Sequence, residues 1–208
     1  MNHYFQWFGL PGSFVLTCLM SLMAVVLALF LPSSHRFLCA AAMIVSSMGD
    51  IVLMNFKGIG NRMSVPYFYV GAVLFMAAHL LYIAAFSLRI RQNGYPLVNA
   101  GFWAAVVCVL VIWVLLTVLS FRGGRFDPVM YLLCLVYMCI IGCNCAVIFS
   151  FAFSAGGWYL IAAAGAFSFF ISDLIIGVDK LANFTTPALQ EGIWWFYPIG
   201  QILIILFG

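Results

Sequence analysis

Residues 37–54 read FLCAAAMIVSSMGDIVLM. Asp50 is the one charge in the run. A helix needs roughly 20 apolar residues, or 17 to 25 with tilt, to cross a hydrocarbon core of ~30 Å. The run therefore reads as a membrane-spanning helix, and the carboxylate inside it raises the question of function.

The rest of the chain repeats the pattern. Of 208 residues, 67% are hydrophobic and 6% charged, against about 25% charged in a soluble domain. That leaves too little polar surface for a water-facing fold. Seven runs qualify as spans: 13–31, 37–54, 66–86, 97–120, 127–151, 157–178 and 192–208. Backbone groups in lipid must be satisfied within their own segment, so the runs are helices. The expected fold is all-α, a polytopic transmembrane helix bundle of about seven helices, forming a single integral membrane domain over residues 1–208. Pro, Gly and charged residues punctuate the runs, as in Pro32-Ser33-Ser34-His35-Arg36 and Arg122-Gly123-Gly124-Arg125.

No Lys or Arg precedes the first run and no A-x-A site follows it, so that run reads as a retained helix rather than a signal peptide. Residues 1–12, with Tyr4, Phe5, Trp7 and Phe8, read as interfacial. The seven cysteines all lie in apolar runs, without a CxxC pair or a Cys/His cluster, and read as small packing residues. The net charge of +3 comes from scattered Lys and Arg, which argues against a nucleic-acid partner.

Seven spans put Lys57, Arg62, Arg122, Arg125 and Lys180 on the side of the N-terminus, and Arg36, Arg89 and Arg91 on the other. The positive-inside rule then favours the first side as cytoplasmic. The sequon Asn183-Phe184-Thr185 falls on that same side and carries little weight. The expected location is a cell membrane, the plasma or inner membrane in a bacterium.

Two carboxylates fall within spans away from a helix start: Asp50 and Asp173. Asp127, before Pro128, reads as a helix cap instead. Asp50 precedes the end of its run by about 6 Å and Asp173 by about 8 Å, so both are expected in one layer beneath the same interface. A carboxylate there costs about 2.5–3.5 kcal/mol on insertion scales, and intramembrane acids mark functional sites by default. The plain alternative is interhelical hydrogen bonding without chemistry. Ser46, Ser47, Ser168, Ser172, Tyr197 and Gln201 reach the same layer. His79 and Tyr82 share a face of the third helix through i,i+3 spacing, though His79 lies deeper. Gly71, Gly142, Gly165 and Gly177 read as sites of close helix approach.

The stretch GDIVLMNFKGIGNRMSVPYFYVGAVLFMAAHLLYIAAF, residues 49–86, resembles the signature of the YhhN-like lysoplasmalogenases. The signature pairs a G-D-x-x-L helix end with a basic loop and a G-x3-F-x3-H-x2-Y helix. Here those positions are Gly49, Asp50, Leu53, Gly71, Phe75, His79 and Tyr82. AGAFSFFISDLIIGVDKL, residues 164–181, is similar to the family's G-x3-F-x2-S-D segment and its trailing basic residue, giving Gly165, Phe169, Ser172, Asp173 and Lys180. FYPIGQILII supplies Tyr197 and Gln201 of the closing helix. The resemblance spans residues 13–208; the family is usually described with eight helices, against seven runs here.

The resemblance implies hydrolysis of the vinyl ether bond of lysoplasmalogens to a fatty aldehyde and glycerophosphocholine or glycerophosphoethanolamine. It implies no metal or organic cofactor. Vinyl ether cleavage begins with protonation of the β-carbon, which creates an oxocarbenium ion for water to trap. Two carboxyls in one low-dielectric layer, one protonated and one ionised, suit that chemistry, as in glycosidases. Asp50 and Asp173 are therefore the expected catalytic residues, facing a shared cavity with their carboxyls within about 12 Å. His79, Tyr82, Tyr197, Gln201, Ser172, Lys57 and Lys180 are expected to bind substrate, the two lysines at its phosphate. The expected partners are a lysophospholipid and membrane lipids. Two other classes remain open: a proton-coupled carrier using Asp50, Asp173 and His79, and an intramembrane aspartyl protease, whose GxGD segment is not matched by Ser47-Met48-Gly49-Asp50. A retinal protein is disfavoured, because the last helix has no Lys.

Overall fold

The computed structural model describes residues 6–7, 10–122, 127–182, 184 and 186–208. Within these the chain runs through seven α-helices: α1 Gly12–Phe30, α2 Ser34–Leu53, α3 Tyr67–Gln92, α4 Ala100–Arg122, α5 Pro128–Ala155, α6 Leu160–Ala182 and α7 Pro187–Phe207. A minimal antiparallel pairing of β1 Gln6–Trp7 with β2 Leu10–Pro11 precedes α1. Tyr4, Phe5, Phe8, Arg125, Asn183 and Thr185 lie outside the described residues.

Six of the described segments are long and apolar enough to cross a membrane: Gly12–Phe30, Ser34–Leu53, Tyr67–Gln92, Ala100–Val118, Pro128–Ala155 and Gly157–Leu181. The protein is an integral membrane protein with a polytopic helical fold. The seventh helix is long enough at 21 residues, but Gln190, Glu191, Tyr197 and Gln201 dilute its apolarity.

Several helices outrun their apolar sequences for local reasons. α7 begins at Pro187 because the Thr186 hydroxyl caps it, accepting from the Leu189 N–H at 3.3 Å. α5 begins at Pro128 for the same reason, with Asp127 accepting from the N–H groups of Val129 and Met130 at 2.9 and 3.3 Å. α3 runs on to Gln92, with Arg89 and Arg91 in a last turn that suits cations. Gly94, at φ 67°, ends that helix in the left-handed conformation glycine adopts freely.

Two compact units divide the chain, residues 1–88 and 89–208. In the first, α1 buries a stripe of Thr17, Met20, Ala24 and Ala28, whose three- and four-residue spacing marks one helical face. α2 and α3 approach closely at two glycines. A methyl group on Gly49 would stand 2.8 Å from Cε2 of Phe75, and one on Gly71 2.5 Å from Cγ of Leu53.

In the second unit, α6 and α7 meet backbone to backbone. A methyl group on Gly200 would stand 2.6 Å from the Phe169 nitrogen and 2.8 Å from the Gly165 oxygen. Small residues permit such contact where lipid supplies no hydrophobic drive for helix association. Gly142 likewise meets Val109, but Gly177 corrects the expectation: its nearest neighbour, Leu116, would be at an ordinary 3.9 Å. Arg89 donates to the main-chain oxygen of Gly208, with its guanidinium 4.6 Å from the Phe151 ring centre and 5.1 Å from that of Tyr159. These are cation–π distances. None of the seven cysteines is in a disulfide; Cys145, for one, is buried with its thiol donating to the Ala166 carbonyl at 3.4 Å.

Candidate active site

Asp50 lies near the end of α2 and is 5% exposed. Its carboxyl meets α1 rather than lipid: Thr17 Oγ1 is 2.5 Å from Asp50 Oδ2. Thr17 Oγ1 is also 2.9 Å from Ser47 Oγ, and Ser47 Oγ is 2.6 Å from Ser21 Oγ. Ser47 lies 3.1 Å from the Thr17 carbonyl, and Ser21 lies 3.3 Å from that of Met43. The helical repeat explains the grouping. Thr17 and Ser21 are four residues apart on α1, Ser47 and Asp50 three apart on α2, so each pair shares a face.

His79 and Tyr82, on α3 of the same unit, are wholly buried. They continue the face of Phe75, the ring that lies on Gly49 beside Asp50. α3 begins at Tyr67, so His79 stands about 18 Å along it and keeps the depth read from the sequence. Lys57 lies in the loop after α2, exposed and at φ 50°, with its ammonium 5.5 Å from the Phe56 ring centre. Phe56 itself stacks on Phe14 of α1 at 4.2 Å.

In the second unit, Tyr137 of α5 donates to Asp173 Oδ2 at 2.8 Å. One turn earlier on α6, Phe169 meets Tyr197 of α7 edge to face, with ring centres 5.3 Å apart. Tyr197 is 4% exposed and Gln201 fully buried, so α7 turns both inward. The Ser172 hydroxyl donates to the carbonyl of Phe169 in its own helix at 2.7 Å, and Ser168 donates to the Phe196 carbonyl at 2.8 Å. Lys180 pairs with its neighbour Asp179 at 2.9 Å on the surface.

The two carboxylates stand at different distances from their helix ends, although their setbacks from the ends of the apolar runs are similar. Asp50 precedes Leu53 by about 4.5 Å, whereas Asp173 precedes Ala182 by about 13.5 Å. The reason is that α6 continues beyond its apolar run through Asp179 and Lys180, residues a helix carries readily in water.

The first unit thus holds Asp50, His79, Tyr82 and Lys57, and the second Asp173, Ser172, Tyr197, Gln201 and Lys180. Among the described residues no three His, Cys, Asp or Glu side chains gather as a metal ion would require. Thr17, Ser21 and Tyr137 are absent from the sequence expectations. Single hydroxyls and a phenol within apolar runs carry no spacing signal, and only packing reveals which carboxyl each meets. Tyr131, six residues before Tyr137, faces Thr117 at 3.2 Å instead.

The family model for the YhhN family matches residues 12–207, nearly the whole chain and both carboxylate helices. The chain belongs to the YhhN family. No curated protein and no solved structure matches it. Membership covers every segment on which the resemblance rested, α1 with Thr17 and Ser21 included.

Proposed function

We propose that this protein hydrolyses the vinyl ether bond of lysoplasmalogens, releasing a fatty aldehyde and glycerophosphocholine or glycerophosphoethanolamine. The observation that carries the reading is a pair of carboxyls, each in a membrane-spanning helix and each held by a hydroxyl donor from a neighbouring helix. Membership of the YhhN family supports it. A carboxyl retained in hydrocarbon against its insertion cost, and oriented there, fits acid–base chemistry on a membrane lipid.

In the proposed reaction one carboxylic acid protonates the β-carbon of the vinyl ether, and the second, ionised, steadies the oxocarbenium ion. Water adds to the cation and gives up a proton, and the hemiacetal breaks its bond to glycerol to release the aldehyde. The first carboxyl recovers the proton it gave. The scissile bond joins the tail to the glycerol, just beneath the headgroup, which is the depth of a residue such as Asp50 near a helix end. Lys57 and Lys180 would meet the phosphate. His79, Tyr82, Ser172, Tyr197 and Gln201 would orient the glycerol and the reacting bond.

The test is incubation of purified protein with a defined lysoplasmalogen and with an ester lysophospholipid of equal chain length. Aldehyde from the first and no fatty acid from the second is expected. Intact lysoplasmalogen after prolonged incubation with folded protein would overturn the reading.

A further inference from the structure

The hydroxyls beside Asp50 form a series, and the direction of each bond can be worked out from the protons present. Thr17, Ser47 and Ser21 carry one hydroxyl proton each. With Asp50 ionised, Thr17 donates to the carboxylate at 2.5 Å, while Ser47 donates to the Thr17 carbonyl at 3.1 Å. With Asp50 protonated, the acid donates to Thr17 Oγ1, and Thr17 turns its own proton to Ser47 Oγ at 2.9 Å. Ser21 stands 2.6 Å from Ser47 Oγ and donates to the Met43 carbonyl at 3.3 Å. No proton passes between the hydroxyls; the Thr17 hydroxyl turns about its own C–O bond. The Thr17 and Met43 carbonyls matter because they accept the Ser47 and Ser21 protons, which leaves Ser47 Oγ able to accept from Thr17. Thr17 is 1% and Ser47 8% exposed, so water is a poor substitute for these partners.

We infer that Thr17, backed by Ser47 and Ser21, is a positioning residue that keeps the Asp50 carboxyl hydrogen-bonded in both its protonated and its ionised form. That makes Asp50 the carboxyl suited to give and recover the proton during turnover. The assignment of this role rests on the hydrolase reading above. A buried polar group left unpaired in one of its two states would raise the cost of reaching that state. A hydroxyl that can donate to the carboxylate and accept from the acid removes the obstacle. In the first unit, α3 packs against α2 and carries two titratable groups beyond Phe75: His79, one turn on, and Tyr82, two turns on and within electrostatic reach of Cys39 towards the other end of α2. α1 brings no charged side chain there, and its Cys18 is exposed.

The test compares Thr17→Val, which keeps the shape and removes the hydroxyl, with Thr17→Ser, which restores it. Infrared spectra of the protein in lipid nanodiscs are recorded at low and high pH. The carboxylic C=O band and the carboxylate band that Asp50→Asn removes belong to Asp50. Both bands should shift in Thr17→Val and return in Thr17→Ser. On a defined lysoplasmalogen, kcat should fall about tenfold in the Val variant with KM unchanged, as loss of a bond to a charged group implies, and Ser should restore it. A folded Val variant with only one form shifted, or neither, overturns the inference. So does a wild-type protein in which Asp50→Asn removes no carboxylic band at any pH. Should the Val variant fail to fold, Ser47→Ala breaks the middle of the series, and both bands should then shift by less; unshifted bands overturn the inference there too. The spectra need no substrate. Shifted bands in a protein that releases no aldehyde would sink the hydrolase and leave the two-way Thr17 bond standing. Aldehyde release with unshifted bands would do the opposite.

Discussion

Around Asp50, three aliphatic hydroxyls stand in series across α1 and α2 and end on a main-chain carbonyl. Around Asp173, the phenol of Tyr137 reaches across from α5. A phenol is the more acidic hydroxyl and the stronger donor, and it gives Asp173 a directed bond from another helix. The hydroxyls beside Asp50 can both donate and accept. Two carboxyls of like chemistry are thus held by groups of different kinds.

The largest effect should come from the carboxyls themselves. Asp50→Asn and Asp173→Asn should each lower aldehyde release by about 10²–10⁴-fold while the protein still folds. Turnover measured on the purified variants checks this, and near-normal activity in either would break the two-carboxyl proposal.

A second contrast lies in the helix crossings of the two units. Gly200→Ala drives a methyl group into the Phe169 and Gly165 backbone, which cannot yield, whereas Gly49→Ala meets the edge of the Phe75 ring, which can turn. Gly200→Ala should cost about 1–3 kcal/mol, as overpacking commonly does, and Gly49→Ala less. Reversible unfolding in mixed micelles gives both values. An equal or inverted order would show that the α6–α7 contact is looser than the α2–α3 contact.

Tyr137→Phe sharpens the comparison at Asp173. It should lower kcat about tenfold, with KM little changed, because it removes a hydrogen bond to the carboxyl and leaves the ring in place. The Asp50 infrared bands should not move. A Phe variant that shifts them would mean the two carboxyls are not separately tuned.

The smallest effects belong to the lysines. Lys180 already has Asp179 as a partner, and such exposed pairs exchange at little cost. Lys57→Ala should therefore raise KM several-fold and Lys180→Ala about twofold, with Arg91→Ala as a control that does neither. A charge-assisted contact to phosphate has room for such a range. Equal values for all three would remove both lysines from the headgroup.

Much of the fold is legible in the sequence because lipid enforces it. An apolar run near 20 residues has no other stable form, and the helices sit where the runs do. Their ends are less legible. Thr186 and Pro187 extend α7 forward, and Asp179 with Lys180 carries α6 onward, both by local bonds in the polar zone rather than by apolarity. The carboxylates announce themselves by their cost in hydrocarbon. Thr17, Ser21 and Tyr137 do not, since a hydroxyl costs little and is common in spans. Their importance arises only when packing sets them against a particular carboxyl.

The make-up of α7 bears on how the protein is made. Membrane insertion weighs segments one at a time by their apolarity, and α7, with Gln190, Glu191 and Gln201, lacks the apolar stretch of crossing length that the other six helices carry. What it lacks in partition it recovers from α6, through the Gly165–Gly200 contact and the Ser168 bond to Phe196. α6 is synthesised first and is apolar enough to enter unaided. Only the few residues between Ala182 and Pro187 separate the two. α6 would then offer α7 a packed partner to enter against, as one half of a hairpin. A change at Gly165 or Gly200 would then be felt first as a fault of biogenesis, with the last segment left outside the bilayer.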